Sequence, residues 1–343
     1  MPNFGNYHQV SGAGWSVYWK IPMASGGGLE VWWADFQGHR VMWRGSQPFA
    51  LVPYHGGSPT YKDGLDAHCG GAPFTALKHT APNSWAPWLN PGPYVAGVDT
   101  DAVVVKTDPG DDFNPGSLTI AAKFQCGWYQ YVHSWEFSSD GVIAPRVAMG
   151  GHVHPSKPDI AHVHHMYFRL DLDIDGQFPH DVIEVFNHIN FNQPGGDKWD
   201  TLAAQGKLLS DPDTARKWRV RSTVAKNNQG QFKSYEVELP RMAGRDQYST
   251  GDVWATIYRG DGFQQGENVG SACTDKELET AYAVGPLHPA TGDDIVVWIV
   301  ARAHHEPRSH GEEFDHLPYH YEDFSIVPRT FLDARPPTGG RRR

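Results

Sequence analysis

"IAHVHHMYFRLDLDIDG", residues 160–176, sets three histidines and three aspartates within seventeen positions. Its aromatic and apolar middle, "HMYFRLDL", reads as a strand. Alternate side chains on a strand point the same way, so His162 and His164 share one face while His165 lies on the other. Two imidazoles two residues apart can reach one ion. Asp171 and Asp173 repeat the spacing with oxygen ligands. One strand can therefore serve two sites: nitrogen for copper or zinc, carboxylate for calcium or manganese.

The chain around this stretch is strand-rich throughout. "LEVWWADFQGHRVMWRG" (29–45) reads as two strands about a "QGHR" turn. "DAVVVKT", "GSLTIAAKFQCGWYQYVHSWEF", "GVIAPRVAM", "KSYEVELP", "GDVWATIYRG", "DIVVWIVARA" and "YEDFSIVPRTF" follow, separated by Gly, Pro, Asn and Asp. Helical periodicity is confined to "DKWDTLAAQGKLL" (197–209) and "TDKELETAYA" (274–283). So many strands without alternating helices predict an all-β fold, a large antiparallel β-sandwich with few short helices. With no internal repeat and no shift in composition, the chain reads as one domain.

Composition narrows the function. A hydrophobic share of 39% with 20% charged residues describes a folded globular chain of 343 residues, and 13 Trp supply bulk for a core. A net charge of −10 argues against nucleic acid as the main partner, because no basic field attracts phosphates. The terminal "GGRRR" reads as a loose tail. No apolar window of about 18 residues suggests a membrane span. No signal-peptide pattern opens the chain, so the default location is cytoplasmic. Cys69, Cys126 and Cys273 form no C-x-x-C pair, and an odd number excludes a fully disulfide-paired monomer.

There are 19 histidines. For an isolated His-x-His the ordinary reading is a satisfied core or surface pair. A third candidate, His305, follows the apolar run "DIVVWIVARAH" far along the chain, and three histidines from two segments suit a mononuclear copper or zinc site.

These residues resemble the copper- and topaquinone-containing amine oxidases. In that family an H-x-H strand followed by an R-L-D-x-D-x-D-G stretch carries two copper ligands, and a later H-x-P-R motif begins with the third. "HVHHMYFRLDLDIDG" and "HEPR" match, so the resemblance implies His162, His164 and His305 as copper ligands. It further implies a second metal, often calcium, at Asp171, the Leu172 carbonyl, Asp173, Asp294 and the Ile295 carbonyl. "GWSVYWK", "FALVPYHG", "EEFDHLP" and "FSIVPRTFLDARPP" extend the likeness to the family's catalytic domain over residues 14–337. Residues 1–13 are left as an N-terminal tail and 338–343 as a basic C-terminal tail. A homodimer is implied.

The implied activity turns a primary amine, O2 and water into an aldehyde, ammonia and hydrogen peroxide. It uses a topaquinone made from a tyrosine within N-Y-(D/E), and an aspartate base. Tyr129 in "CGWYQYVHSWEF" holds the cofactor position, with Trp128 in place of Asn and Gln130 in place of the acid. Tyr54 in "LVPYHGG" matches the tyrosine that hydrogen-bonds the cofactor. The base segment is short: in "SPTYKDGLDAHCGG" Asp66 is the best match, with Asp63 and His68 as substitutes, and an alignment through Cys69 deletes the base altogether. His133 shares strand parity with Tyr129, and His154 lies on the segment entering the copper strand; both read as ordinary polar residues. Opposite parity of Cys126 and Tyr129 argues against a crosslink between them. Three readings stay open. The first is a topaquinone amine oxidase, acting on a small-molecule substrate with O2. The second is a copper enzyme on the same scaffold without the quinone, oxidising or cyclising a non-amine small molecule. The third is a non-catalytic copper-binding protein.

Overall fold

The computed structural model describes residues 7–22, 26–54, 60–65, 67–77, 103–151, 160–176, 179–187, 198–211, 213–239, 244–258, 273–305 and 320–332. In chain order the strands are β1 His8–Gly12, β2 Trp15–Lys20, β3 Glu30–Phe36, β4 His39–Pro53, β5 Thr60–Gly64, β6 Thr75–Ala76 and β7 Val103–Asp108. They continue with β8 Ser117–Cys126, β9 Tyr129–Ser138, β10 Ile143–Gly151, β11 His162–Leu172, β12 Asp181–Asn187, β13 Lys198–Thr201 and β14 Gly206–Leu208. The last are β15 Lys217–Lys226, β16 Phe232–Glu238, β17 Val253–Ile257, β18 Ile295–His305, β19 His320–Asp323 and β20 Ser325–Pro328.

Two antiparallel sheets face each other, as the strand pattern predicts. One runs β1-β2-β3-β4-β11-β18-β17-β14 with β5 beside β4; the other runs β13-β12-β15-β16-β20-β10-β9-β8-β6, with β19 on β10 and β7 on β8. Alternation decides which side chains enter the space between them. In β2, Trp15, Val17 and Trp19 are buried while Ser16, Tyr18 and Lys20 are partly exposed. Trp15 packs on Phe36 and Phe137, and Trp135 meets Phe168 from the opposite sheet. Gly45 lets the sheets close there: a Cβ on it would stand 2.4 Å from the Trp135 indole. The far face of β4, β11, β17 and β18 is also covered, by a cluster of Phe49, Tyr167, Trp254, Trp298 and Leu278. Burial on both faces explains why "IVVWIV" is apolar without alternating.

Four expectations change. Of the segment 197–209, the described residues 198–209 are not a helix: β13 pairs with β12 and β14 with β17, and Trp199 packs on Phe186 and under the Arg219 guanidinium. These contacts between distant segments outweigh a weak helical periodicity. Of 274–283 a short helical turn remains, Leu278–Tyr282. Residues 8–12, placed in a tail by the sequence, form edge strand β1 against β2. Finally, the run 116–137 is not one strand but the β8–β9 hairpin. Gly127 takes a φ of 58° in its two-residue loop, a conformation a Cβ disfavours. Cys126 and Tyr129 are therefore direct cross-strand partners on one face, and parity across the loop does not separate them.

The cysteines divide into one disulfide, Cys69–Cys273, and one buried free thiol, Cys126. Among the described residues no helix is long and apolar enough to cross a membrane.

Candidate active site

Three neighbouring strands of one sheet deliver the site. The end of β4 hands over to Tyr54, whose backbone bridges His162 at the start of β11, and His162 is paired with His305 at the end of β18. His162, His164 and His305 are all buried, and one ring nitrogen from each lies within 4.8 Å of the others. The three histidines singled out in the sequence thus form one group.

Their hydrogen bonds fix the tautomers. His162 Nδ1 lies 2.8 Å from the Ile160 carbonyl, which can only accept, so Nδ1 carries the proton and Nε2 a lone pair. His164 Nδ1 is 2.9 Å from the Tyr131 hydroxyl, whose proton goes to Asp63 Oδ2 at 3.1 Å, so this Nδ1 is also the donor. The two Nε2 lone pairs then face each other at 3.0 Å, with His305 Nδ1 3.3 Å from His162 Nε2. Facing lone pairs repel unless a proton or cation lies among them. An all-imidazole donor set turned to one point fits a copper ion.

The other sheet brings Tyr129 to this group. Its hydroxyl lies 2.9 Å from His162 Nε2 and 2.6 Å from the Tyr54 hydroxyl, and its ring stands edge-on to His164. Burial raises the phenols of both: Tyr54 to about 12 and Tyr129 further, with the Tyr54 charge adding to the Tyr129 shift. Both are neutral phenols at neutral pH. Trp128 packs edge-on to Tyr61. Gln130 turns the other way and bonds Gln125 across the hairpin, so the position of the family's acid does not face the histidines.

A small recess of about 20 Å³ opens beside Tyr129, walled by Tyr54, Tyr61, Asp63, Cys126 and Trp128. Asp63 on β5 is 5% exposed; Oδ1 accepts from the Ala72 amide and Oδ2 from Tyr131. Burial outweighs these bonds and raises its carboxyl to about 6. Asp66 lies outside the described residues. His68 is exposed and away from the recess walls. Cys126 Sγ lies 3.0 Å from the Ala72 carbonyl, and burial raises its thiol far above the usual range. His133 is fully buried between Phe74 and Phe124, and desolvation lowers it to about 3. It is a neutral core ring apart from the histidine group, and among the described residues neither of its nitrogens has a hydrogen-bond partner, which differs from the ordinary polar residue expected. His154 lies outside the described residues.

The acidic residues form a looser group. Asp171 is buried against Arg169, 3.4 Å away, and Asp173 immediately precedes the short 3-10 turn Ile174–Gly176. Asp294 joins them where β18 begins, and mutual repulsion with Asp171 and Asp173 adds to burial in raising it to about 7. Asp173 rises to about 6. Asp181, which sequence reading missed, is drawn in because its backbone bridges Asp293. Asp173 Oδ1 and Asp181 Oδ1 are buried with no hydrogen-bond partner, which fits a hard cation. Among the described residues, however, only the histidines converge to within 4.8 Å. The backbone at Leu172 and Ile295 is engaged in β11 and β18 beside these acids.

Tyr131 and the Cys69–Cys273 bond were also missed. The Y-x-Y spacing of Tyr129 and Tyr131 carried the signal for the first; nothing in the sequence pairs cysteines 204 residues apart.

Comparison with known proteins agrees with this geometry. A sequence model described as the copper amine oxidase enzyme domain matches residues 114–339. The chain is 25% identical over 263 residues to the peroxisomal copper-containing diamine oxidase 1 of Nicotiana tabacum, covering 64% of this chain and 33% of that protein. It is 24% identical over 268 residues to the primary amine oxidase of Klebsiella aerogenes, covering 63% and 35%. The chain thus spans about a third of the length of the curated relatives it matches. The fold matches Aspergillus nidulans amine oxidase with a TM-score of 0.70 at 17% identity, over 96% of this chain and 53% of that one. It matches the copper-containing benzylamine oxidase of Hansenula polymorpha with a TM-score of 0.67 at 16% identity, over 98% and 62%.

Proposed function

As the chain belongs to the copper amine oxidase family, we propose that it is a copper-dependent oxidase of primary amines in which Tyr129 is the working tyrosine. The observation that carries this reading is the Tyr129 hydroxyl 2.9 Å from His162 Nε2, within the group of three buried histidines. His162 and His164 would hold copper through Nε2 and His305 through Nδ1. Copper with O2 would supply oxidation of the Tyr129 ring to topaquinone, the electron sink that lets an amine leave as an aldehyde with ammonia and hydrogen peroxide.

The remaining work falls to the chain's own groups. Tyr54 holds the Tyr129 hydroxyl and so orients the ring. Asp63 takes the part of the base in preference to Asp66: it lines the same recess as Tyr129, and with its carboxyl near 6 it is ionised at neutral pH yet ready to accept a proton. The Tyr61 and Trp128 rings line the narrow recess, which favours a small amine. Asp171, Asp173 and Asp294, with the carbonyls of Leu172 and Ile295, are the candidates for a second, hard cation such as calcium. The family likeness supports a homodimer. The cytoplasmic default is the less favoured location, because bonds such as Cys69–Cys273 persist in oxidising compartments.

A second reading keeps the copper and leaves Tyr129 a phenol, with a non-amine small molecule as substrate. Trp128 and Gln130 favour it, since they replace the small amide and the acid that flank the family's tyrosine. Mass spectrometry of the Tyr129 peptide after aerobic copper loading, with and without phenylhydrazine, separates the two. A quinone-sized mass increase and a hydrazone adduct support the amine oxidase. An unmodified tyrosine with copper bound overturns it and leaves the second reading.

A further inference from the structure

Tyr131 touches both halves of the site and belongs to neither. It is fully buried on β9, two residues from Tyr129 and on the same face. Its one hydroxyl proton is donated to Asp63 Oδ2 at 3.1 Å, and the same oxygen accepts from His164 Nδ1 at 2.9 Å. The ring is held by Phe74, edge-on at 5.5 Å, so the hydroxyl has little freedom to turn elsewhere.

We propose that Tyr131 is a positioning residue that couples the metal group to the base, through the chain His164 Nδ1–H to Tyr131 hydroxyl to Asp63 carboxylate. The inference rests on Asp63 being the base of the proposed reaction. Toward the histidines, the bond holds His164 in the tautomer that leaves Nε2 free for a cation; outer partners of ligating histidines set affinity in this way. Toward the recess, the bond adds to that of the Ala72 amide in favouring the ionised carboxylate against burial. Each link polarises the next, so a cation on His164 makes Tyr131 a stronger donor to Asp63.

The Ala72 amide and the Cys126 thiol also bond Asp63, and Tyr131 is the partner that bonds His164 as well. Cys126 approaches from β8, Tyr129 from β9 and Tyr54 from β4, and burial keeps all three neutral. The adjacent Lys62 stands over the Phe49 ring, on the other face of β5.

The test is Tyr131→Phe, which keeps the ring in the core and deletes the two bonds, alongside Asp63→Ala and the double variant. Copper affinity is measured by competition with a chelator, and kcat/KM for a primary amine is followed against pH. The expected result for Tyr131→Phe is about 10-fold or more weaker copper binding and an acid limb displaced upward from about pH 6. Asp63→Ala should weaken copper binding although Asp63 touches no histidine, and the double variant should be no weaker than Tyr131→Phe alone. Unchanged copper affinity in Tyr131→Phe, an unmoved acid limb, or additive losses in the double variant would each overturn the proposal. Should Tyr131→Phe fail to fold, Asp63→Ala with wild-type copper affinity overturns it. A wild-type chain that turns over no amine defeats the proposed function instead, and the copper measurements still read out.

Discussion

The Tyr129 hydroxyl lies 2.9 Å from His162 Nε2, although the two residues stand on different sheets. β9 supplies one and β11 the other, and the sandwich brings their ends together over a gap closed by Tyr54. A ring in this position is within reach of whatever the histidines hold, so its chemistry and theirs are coupled by the packing of the core.

Loss of one imidazole should empty the centre. His305→Ala leaves two donors from a single strand, and tight copper binding is expected to disappear while the sandwich persists. Metal analysis after gel filtration, with circular dichroism as the control, checks this. Wild-type copper content would remove His305 from the site.

Protonation of Asp63 should affect rate and stability in opposite senses. Its carboxyl stands at about 6 in the fold against an ordinary 3.8, so the folded chain binds the proton more tightly than the unfolded one. Its contribution to stability is complete below about pH 4 and is lost as pH rises through 6, by about 3 kcal/mol. The rate, which needs the ionised base, should rise over the same interval. Asp63→Asn should lower turnover by about 10²–10⁴-fold and flatten the stability change. Denaturant melts at pH 4.5 and 7.5, with initial rates, read both.

The Cys69–Cys273 bond ties the turn after β5 to the segment before the Leu278 turn. Closing so long a loop should be worth about 2–5 kcal/mol. Cys69→Ser should show that loss in urea unfolding and become insensitive to reductant. Reductant that leaves the wild-type midpoint unmoved would contradict it.

Buried acids that repel one another should welcome a hard cation. Calcium at about a hundred times its dissociation constant should stabilise the chain by about 2.7 kcal/mol, and Asp294→Asn should lose most of that gain. Thermal melts with calcium and with chelator decide it; equal midpoints for the wild type would leave these carboxylates without a metal.

Much was legible in the chain because it depends on local order. Period-two alternation is a property of neighbouring residues, so the β-sandwich could be read from runs such as "GWSVYWK". The H-x-H pair on one strand could be read in the same way, and His305 stood out at the end of the apolar run "DIVVWIVARAH" before the resemblance supported it. Other features depended on which distant segments meet. Gly127 turned one apparent strand into a hairpin and placed Cys126 beside Tyr129. The pairing of β5 with β4 carried Asp63 to the recess wall and to Tyr131, which distance along the chain could not reveal. Asp181 joined the acidic group through a bridge to Asp293, more than a hundred residues away. Alternation fixes which face a side chain takes; only the packing of the two sheets decides what it faces, because burial and hydrogen bonding are set by neighbours in space.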